Sequence, residues 1–207
     1  MAATVETLFA TPLYRARLGG PGERGLIADL AAACRAIAAD DVAGQAWSAR
    51  HGYRGYTSYA SLNDLSWRDP AFAALEARLS PHVAAFAQVA EFDLGGRPLA
   101  LDSLWINVLE PGGVHTGHIH PNAAVSGTLY LETPEGAAPI RFEDPRLPLM
   151  MAAPPRKARA KAENRRHVSV APAPGVVLLW ESWLRHEVPL NDAAAERVSV
   201  SFNYRWG

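Results

Sequence analysis

The sequence predicts an α+β fold in which N-terminal helices brace an antiparallel sandwich or short barrel, and two observations carry that expectation. Apolar residues recur at helical spacing in the first half of the chain, at Leu26, Ile27, Leu30, Cys34 and Ile37 and again at Phe72, Leu75, Leu79, Val83, Phe86 and Val89. After Gly95-Gly96 the pattern changes to short apolar or alternating runs at 99–109, 126–133, 139–143, 168–171, 176–183 and 197–206, which read as strands. Helices first and strands after is the order of an α+β chain.

Size and composition set the limits. A chain of 207 residues, 49% of them hydrophobic, suits one domain, with helical support over about 1–95 and a β core over about 99–206. A net charge of −1 gives no support for nucleic-acid binding, and neither end carries an acidic or basic tail, so a small molecule or peptide is the expected partner. The single cysteine, Cys34, excludes an intramolecular disulfide and reads as a buried structural thiol within an alanine-rich helix. The N-terminus lacks a basic segment followed by an apolar one, and no run approaches the ~18 apolar residues of a membrane span, so a cytoplasmic protein is expected.

Taken in order, residues 4–17 alternate loosely and read as a short edge strand interrupted by Pro12 and ended by Gly19-Gly-Pro-Gly22. A helix is expected over 23–40. Residues 41–66, rich in Gly, Ser, Tyr and Trp without a period, read as an ordered surface loop, of which Gly52-Tyr-Arg-Gly-Tyr-Thr-Ser-Tyr59 would border a binding mouth. A second helix runs from Asp69-Pro70 toward Phe92, with Pro81 expected to kink or divide it. Between the strands, 147–167 is proline-led and basic, with Arg156, Lys157, Arg159, Lys161, Arg165 and Arg166 against Glu163. A solvated, mobile loop is the plain reading, and a lid over the site is the alternative.

The candidate site centres on the stretch from Trp105 to Asn122. Side chains two apart on a strand share a face, so His118 and His120 can aim two imidazoles at one point, while Pro121-Asn122 ends ladder pairing just beyond them. A metal needs a further ligand, and His186, closing the apolar run that begins at Leu178, is the best placed. His51, His82, His115 and His167 read as satisfied core or surface residues. On a strand His115, three residues before His118, would face the opposite side. In the last strand Arg197, Ser199, Ser201 and Asn203 share one face and Val198, Val200, Phe202 and Tyr204 the other. Periodicity alone would make this a half-exposed strand. Its position 11 residues after His186, a strand-and-return distance, would instead bring Arg197 beside the metal. Ser126, Thr128 and Tyr130 likewise share a face just after the histidine pair.

These residues resemble a known family. The pattern His118-Ile-His120, Ser126-Gly-Thr-Leu-Tyr-Leu131, Phe142-Glu-Asp-Pro-Arg146, Gly175 and an apolar strand to His186, then Arg197-Val-Ser-Val-Ser-Phe-Asn203, is similar to the iron(II)- and 2-oxoglutarate-dependent oxygenases. Within them it most resembles a bacterial group with an HxH…H…RxS pattern. The likeness covers roughly 99–205, with a weaker echo at Leu8-Phe-Ala-Thr-Pro-Leu13.

The resemblance implies a double-stranded β-helix, a jelly roll like that of the cupins, whose facial triad holds iron(II) and leaves positions for 2-oxoglutarate and molecular oxygen. Carried over by position, His118 is the first ligand, His120 stands where the family usually has a carboxylate, and His186 is the last. Arg197 with Ser199 matches the residues that hold the distal carboxylate of 2-oxoglutarate, Tyr130 matches a supporting tyrosine, and Asn107 is a candidate for the proximal end. The implied reaction is oxidative decarboxylation of 2-oxoglutarate to succinate coupled to hydroxylation of a substrate. Two other readings were weighed. A cupin-like enzyme or binding module fits Gly112 and His118-x-His120, but the glutamate of its first motif would fall on Ala124 or Val125, and it would not require Arg197-x-Ser199. A metal-free jelly-roll interaction module leaves the histidine spacing unexplained.

Overall fold

The computed structural model describes residues 2–18 and 24–207, so the expected turn at Gly19–Gly22 lies outside the described residues. Its elements are β1 (Tyr14–Arg17), α1 (Arg24–Asp40), α2 (Val42–Arg50), β2 (Gly55–Thr57), α3 (Leu65–Arg68), α4 (Pro70–Val89), β3 (Ala100–Leu109), β4 (His115–His118), β5 (Val125–Glu132), β6 (Ile140–Glu143), β7 (His167–Val170), β8 (Val176–Glu181), β9 (His186–Val188) and β10 (Arg197–Arg205). The strands form two antiparallel sheets, one ordered β1-β8-β5-β10-β3-β2 and the other β4-β9-β6-β7. This is the α+β double-stranded β-helix of the sequence expectation, with the helices gathered on one side.

Alternation along the central strands explains the layering. Leu104, Ile106 and Val108 of β3, Leu129 and Leu131 of β5, Val177 and Leu179 of β8, and Val198, Val200 and Phe202 of β10 turn outward. They form one continuous core with Leu30 and Cys34 of α1 and Phe72, Leu75, Leu79, Val83 and Phe86 of α4. The opposite faces of the same strands turn inward, where Tyr130, Leu178 and Trp180 meet Ile140, Phe142 and Val170 of the smaller sheet. The last strand is therefore covered on both sides, and its polar face looks into the barrel rather than into water. A strand that periodicity alone would leave half exposed is sealed by tertiary packing.

Three local expectations are corrected. Residues 41–66 are not one loop: they hold α2, β2 and α3, short elements whose apolar positions show no helical or strand period over so few residues. Asp41 caps α2 by accepting from the Gly44 amide, and β2 pairs with β3 from Gly55↔Leu109 to Thr57↔Asn107. Pro81 neither kinks nor divides the second helix, since α4 runs unbroken through it. Buried Phe72, Leu75 and Leu79 before the proline and Val83 and Phe86 after it are held by the same core, which outweighs the roughly 3 kcal/mol an interior proline costs. The strand expected to carry both His118 and His120 ends at His118, and β9 is an addition too short to carry a readable alternation.

The basic segment leaves the smaller sheet at the end of β6 and returns at β7, passing through two 3-10 turns at Leu147–Leu149 and Ala162–Asn164. Asp144 and Arg166 close its base through the Asp144 amide and Arg166 carbonyl at 2.8 Å. Cys34 is fully buried, and burial pushes its thiol pKa up, so it stays protonated as the sequence reading required. Among the described residues no helix is long and apolar enough to cross a membrane.

Gly127, the glycine of the Ser126-Gly-Thr motif, lies under the Phe202 ring. A Cβ there would overlap that ring and come within 2.7 Å of the Leu178 carbonyl oxygen. Gly127→Ala should therefore destabilise the fold by about 1 to 3 kcal/mol through overpacking, read as a lower urea midpoint with an unchanged slope.

Candidate active site

The two sheets bring the sequence-distant histidines together. β4 pairs with β9 so that His118 stands directly opposite His186, while β6 flanks β9 on its other side through Phe142↔His186. His120 lies just past β4, where its amide donates to the Ser182 carbonyl at 3.0 Å and anchors the turn after the strand. One ligand nitrogen from each of His118, His120 and His186 lies within 4.8 Å of the others. The pair of histidines two apart thus converges with the distant third, although His120 is held by a loop hydrogen bond and not by the ladder.

The rings are oriented by the backbone. His118 Nδ1 faces the Thr116 carbonyl at 2.7 Å and His186 Nδ1 the Leu184 carbonyl at 2.9 Å. Each Nδ1 therefore carries the proton and donates it, leaving the Nε2 lone pair for a metal. His120 and His186 lie nearly parallel, 7° apart, with their Nε2 atoms 3.4 Å from each other. Imidazole ligands with metal–nitrogen bonds of about 2.1 Å sit roughly 3 Å apart when adjacent on one ion, so a small contraction seats a cation. Burial lowers the His120 pKa to about 4 and that of His186 to about 3, which keeps both rings neutral and available as ligands. The set carries no carboxylate. Three neutral imidazoles suit a divalent transition ion such as iron(II).

Beside the triad is a cavity of about 60 Å³ with a polar lining. Asn107, Ser126, Thr128, Tyr130, Ser201 and Arg197 all face it, together with Trp105 and Trp180. Asn107 is tied on both sides, donating to Ser201 Oγ at 3.1 Å and accepting from Thr57 Oγ1 at 3.0 Å. Ser199 is buried in register between Asn107 and Tyr130 but is not among the lining side chains. Thus Asn107, Tyr130, Arg197 and the triad share one cavity, whereas Ser199 stands behind it.

Arg197 is the unusual group. It is 4% exposed, its Nη1 donates to the Ala138 carbonyl at 2.9 Å, and its guanidinium lies 5.5 Å from the centre of the Tyr130 ring. No carboxylate pairs with it among the described residues, and burial lowers its pKa. Its Nε has no partner, and neither does the Tyr130 hydroxyl nor the Trp180 indole nitrogen. Buried polar atoms are nearly always paired, so three orphans on the lining of one cavity mark the place of an oxygen-rich ligand.

The remaining histidines have other partners. His51 stacks on Trp47, His82 meets the Tyr14 hydroxyl at 2.9 Å, and His167 lies 3.8 Å from Glu143. His115 corrects the strand argument. The β4–β9 register slips between His115 and His118, so both face the cavity, and His115 Nε2 lies 2.5 Å from the Tyr53 hydroxyl. Tyr53 was legible only as part of the stretch expected to border a mouth. Trp180 was not singled out, although it stands opposite Ser126 and its strand period gives it the same inward face.

Residues 103–203 match the sequence model of the family described as "Putative 2OG-Fe(II) oxygenase". No protein of curated function matches the chain in sequence. Among solved structures, the fold is similar to a Pseudomonas putida prolyl-4-hydroxylase at 20% identity and a TM-score of 0.62, over 94% of this chain and 93% of that one. It is also similar to the non-heme alpha ketoglutarate dependent carbocyclase SnoK of nogalamycin biosynthesis, at 14% identity and a TM-score of 0.61 over 94% and 80% of the two chains. A third likeness is to HygX from Streptomyces hygroscopicus, solved with nickel and 2-oxoglutarate bound, at 17% identity and a TM-score of 0.58 over 94% and 82%. Across the barrel the chain matches the model of the putative 2OG-Fe(II) oxygenase family, and over nearly its whole length it shares the fold of these solved oxygenases.

Proposed function

We propose that His118, His120 and His186 hold the iron(II), that Arg197 and Tyr130 hold the distal carboxylate of 2-oxoglutarate, and that the enzyme hydroxylates a small-molecule or peptide substrate. The observation that carries the reading is Arg197: a buried guanidinium with no acidic partner, sharing one small cavity with three converging imidazoles. A dicarboxylate supplies the missing countercharge and accepts from the free Nε and the Tyr130 hydroxyl. Asn107, fixed by Thr57 and Ser201, stands one register step from Arg197 toward Ser201 and is assigned to the proximal end. Ser199, two residues along the same strand, is buried on the side of β10 that carries Arg197.

With 2-oxoglutarate and molecular oxygen, bound iron(II) supplies oxidative decarboxylation to succinate and transfer of one oxygen atom to the substrate. The chain's own part is to hold the reactants in order and to keep water out. Trp105 lies beside His120, and half-exposed Tyr59 packs edge-on against Trp105, so an aromatic wall leads from solvent to the metal side of the cavity. That wall is where the substrate would enter. A lone buried thiol suits a cytoplasmic setting.

Anaerobic titration with iron(II) and 2-oxoglutarate tests the reading, through the charge-transfer band of the bidentate complex. Arg197→Met should weaken 2-oxoglutarate binding roughly 10- to 150-fold, the equivalent of about 1.5 to 3 kcal/mol, with Lys restoring only part of it. The Met variant without ligands should melt no lower than the parent, because it relieves an unpaired buried charge. Unchanged 2-oxoglutarate affinity in a folded Met variant overturns the assignment and favours a cupin-like module.

The ligand set is tested by metal analysis. His118→Ala, His120→Ala and His186→Ala should each abolish stoichiometric iron(II) binding, while His115→Ala retains it. His120→Asp should restore binding by recreating the usual carboxylate triad. Full occupancy in His120→Ala with loss in His115→Ala would replace His120 by His115.

A further inference from the structure

One hydrogen-bonded pair, of which His115 lines the cavity, has no part in holding the metal. His115 Nε2 and the Tyr53 hydroxyl lie 2.5 Å apart, joining β4 to the connection between α2 and β2. The pair sits toward the Arg197 end. His115 stands opposite Val188 on β9, two residues beyond His186 and so roughly 6.6 Å further along the barrel from the triad. Tyr53 packs on Leu109, Ala138 and Val188, and the Ala138 carbonyl is the one that receives the Arg197 guanidinium. The positive charge of Arg197 reaches both rings.

Both members of the pair are neutral. Burial and Arg197 hold the His115 pKa down to about 3, while burial pushes that of Tyr53 up. A neutral imidazole and a neutral phenol share one hydrogen bond and have one proton left over. If the Tyr53 hydroxyl donates to Nε2, the spare proton is on His115 Nδ1. If Nε2 donates, it is on the Tyr53 oxygen. In either arrangement one donor remains at the Arg197 end of the cavity, and it adds no second positive charge there.

A carboxylate offers about four acceptor positions. Arg197, with Nη1 turned to Ala138, can fill two, and the Tyr130 hydroxyl a third. We propose that the Tyr53–His115 pair fills the fourth, so that it is a positioning element for the distal carboxylate of the dicarboxylate cosubstrate. The proposal rests on reading this cavity as the 2-oxoglutarate site. The alternative is a structural pin that merely ties the α2–β2 connection to the barrel.

Two probes separate these roles: 2-oxoglutarate, and 2-oxobutyrate, which keeps the 2-oxo acid end but lacks the distal carboxylate. Dissociation constants are measured anaerobically on the iron(II)-loaded parent, Tyr53→Phe and His115→Phe, with metal affinity and melting temperature alongside. The variant that removes the spare donor should bind 2-oxoglutarate about tenfold more weakly, the loss of one hydrogen bond to a charged group, the other should weaken it less by freeing that donor's orientation, and both should bind 2-oxobutyrate and iron(II) as the parent does. If one variant fails to fold, the other decides. Unchanged 2-oxoglutarate affinity in these variants, with a loss in Arg197→Met, overturns the proposal and leaves the site assignment standing. Equal weakening of both probes, or loss of iron(II), also overturns it, by placing the pair at the metal end or in the scaffold. A parent that binds no 2-oxoglutarate overturns both.

Discussion

The constraint on which the rest of this structure depends is the burial of the Arg197 charge without an acidic partner. Removing a guanidinium from water costs several kcal/mol, and one hydrogen bond to the Ala138 carbonyl offsets only part of it. The fold tolerates this because β10 is the central strand of the larger sheet, paired along its whole length with β3 and β5. Val198, Val200 and Phe202 of the same strand are fully buried against the helices. At about 25 cal/mol per Å² of apolar surface, each such side chain contributes about 1.5 to 3 kcal/mol. One face of the strand supplies the stability that the other face spends on a site.

The helical layer follows from that division. α1 and α4 close the outer face of the sheet, and Arg35 of α1 reaches Glu132, the last residue of β5, at 2.5 Å and Glu196, just before β10, at 2.7 Å. Those ion pairs are nearly half exposed and contribute little to stability, about 0 to 1 kcal/mol each. Their geometry nevertheless fixes α1 over the strand that delivers Arg197.

The electrostatics of the cavity are one-sided. The three converging imidazoles bring no carboxylate, Arg197 is cationic, and Glu187, the sole acid on the lining among the described residues, is engaged by Arg141. A divalent ion with Arg197 makes three positive charges, which a dicarboxylate reduces to one. In the usual triad a protein carboxylate takes a share of that neutralisation. On the proposed assignment the cosubstrate supplies it alone, so metal and cosubstrate should depend on one another more closely than in a carboxylate site.

Local pattern determined much of this protein. The alternation from Arg197 to Tyr204 and the apolar runs of α1 and α4 were readable because each is imposed by the geometry of a single helix or strand, whereas His118 and His120 converge although the strand ends at His118. The encounter of His186 with the histidine pair could be inferred only from its place at the end of an apolar run and from the resemblance. It is decided by the antiparallel register of β4 and β9, which depends on the whole barrel. The direction of His115 was misread because a one-residue register slip leaves no mark in composition, and Tyr53 was hidden because α2 and β2 are too short to show a period. The sequence by itself determined which residues could bind a metal and a carboxylate. Only the tertiary structure decided which of them meet, because strand pairing and burial act between residues tens of positions apart, where no local periodicity can register them.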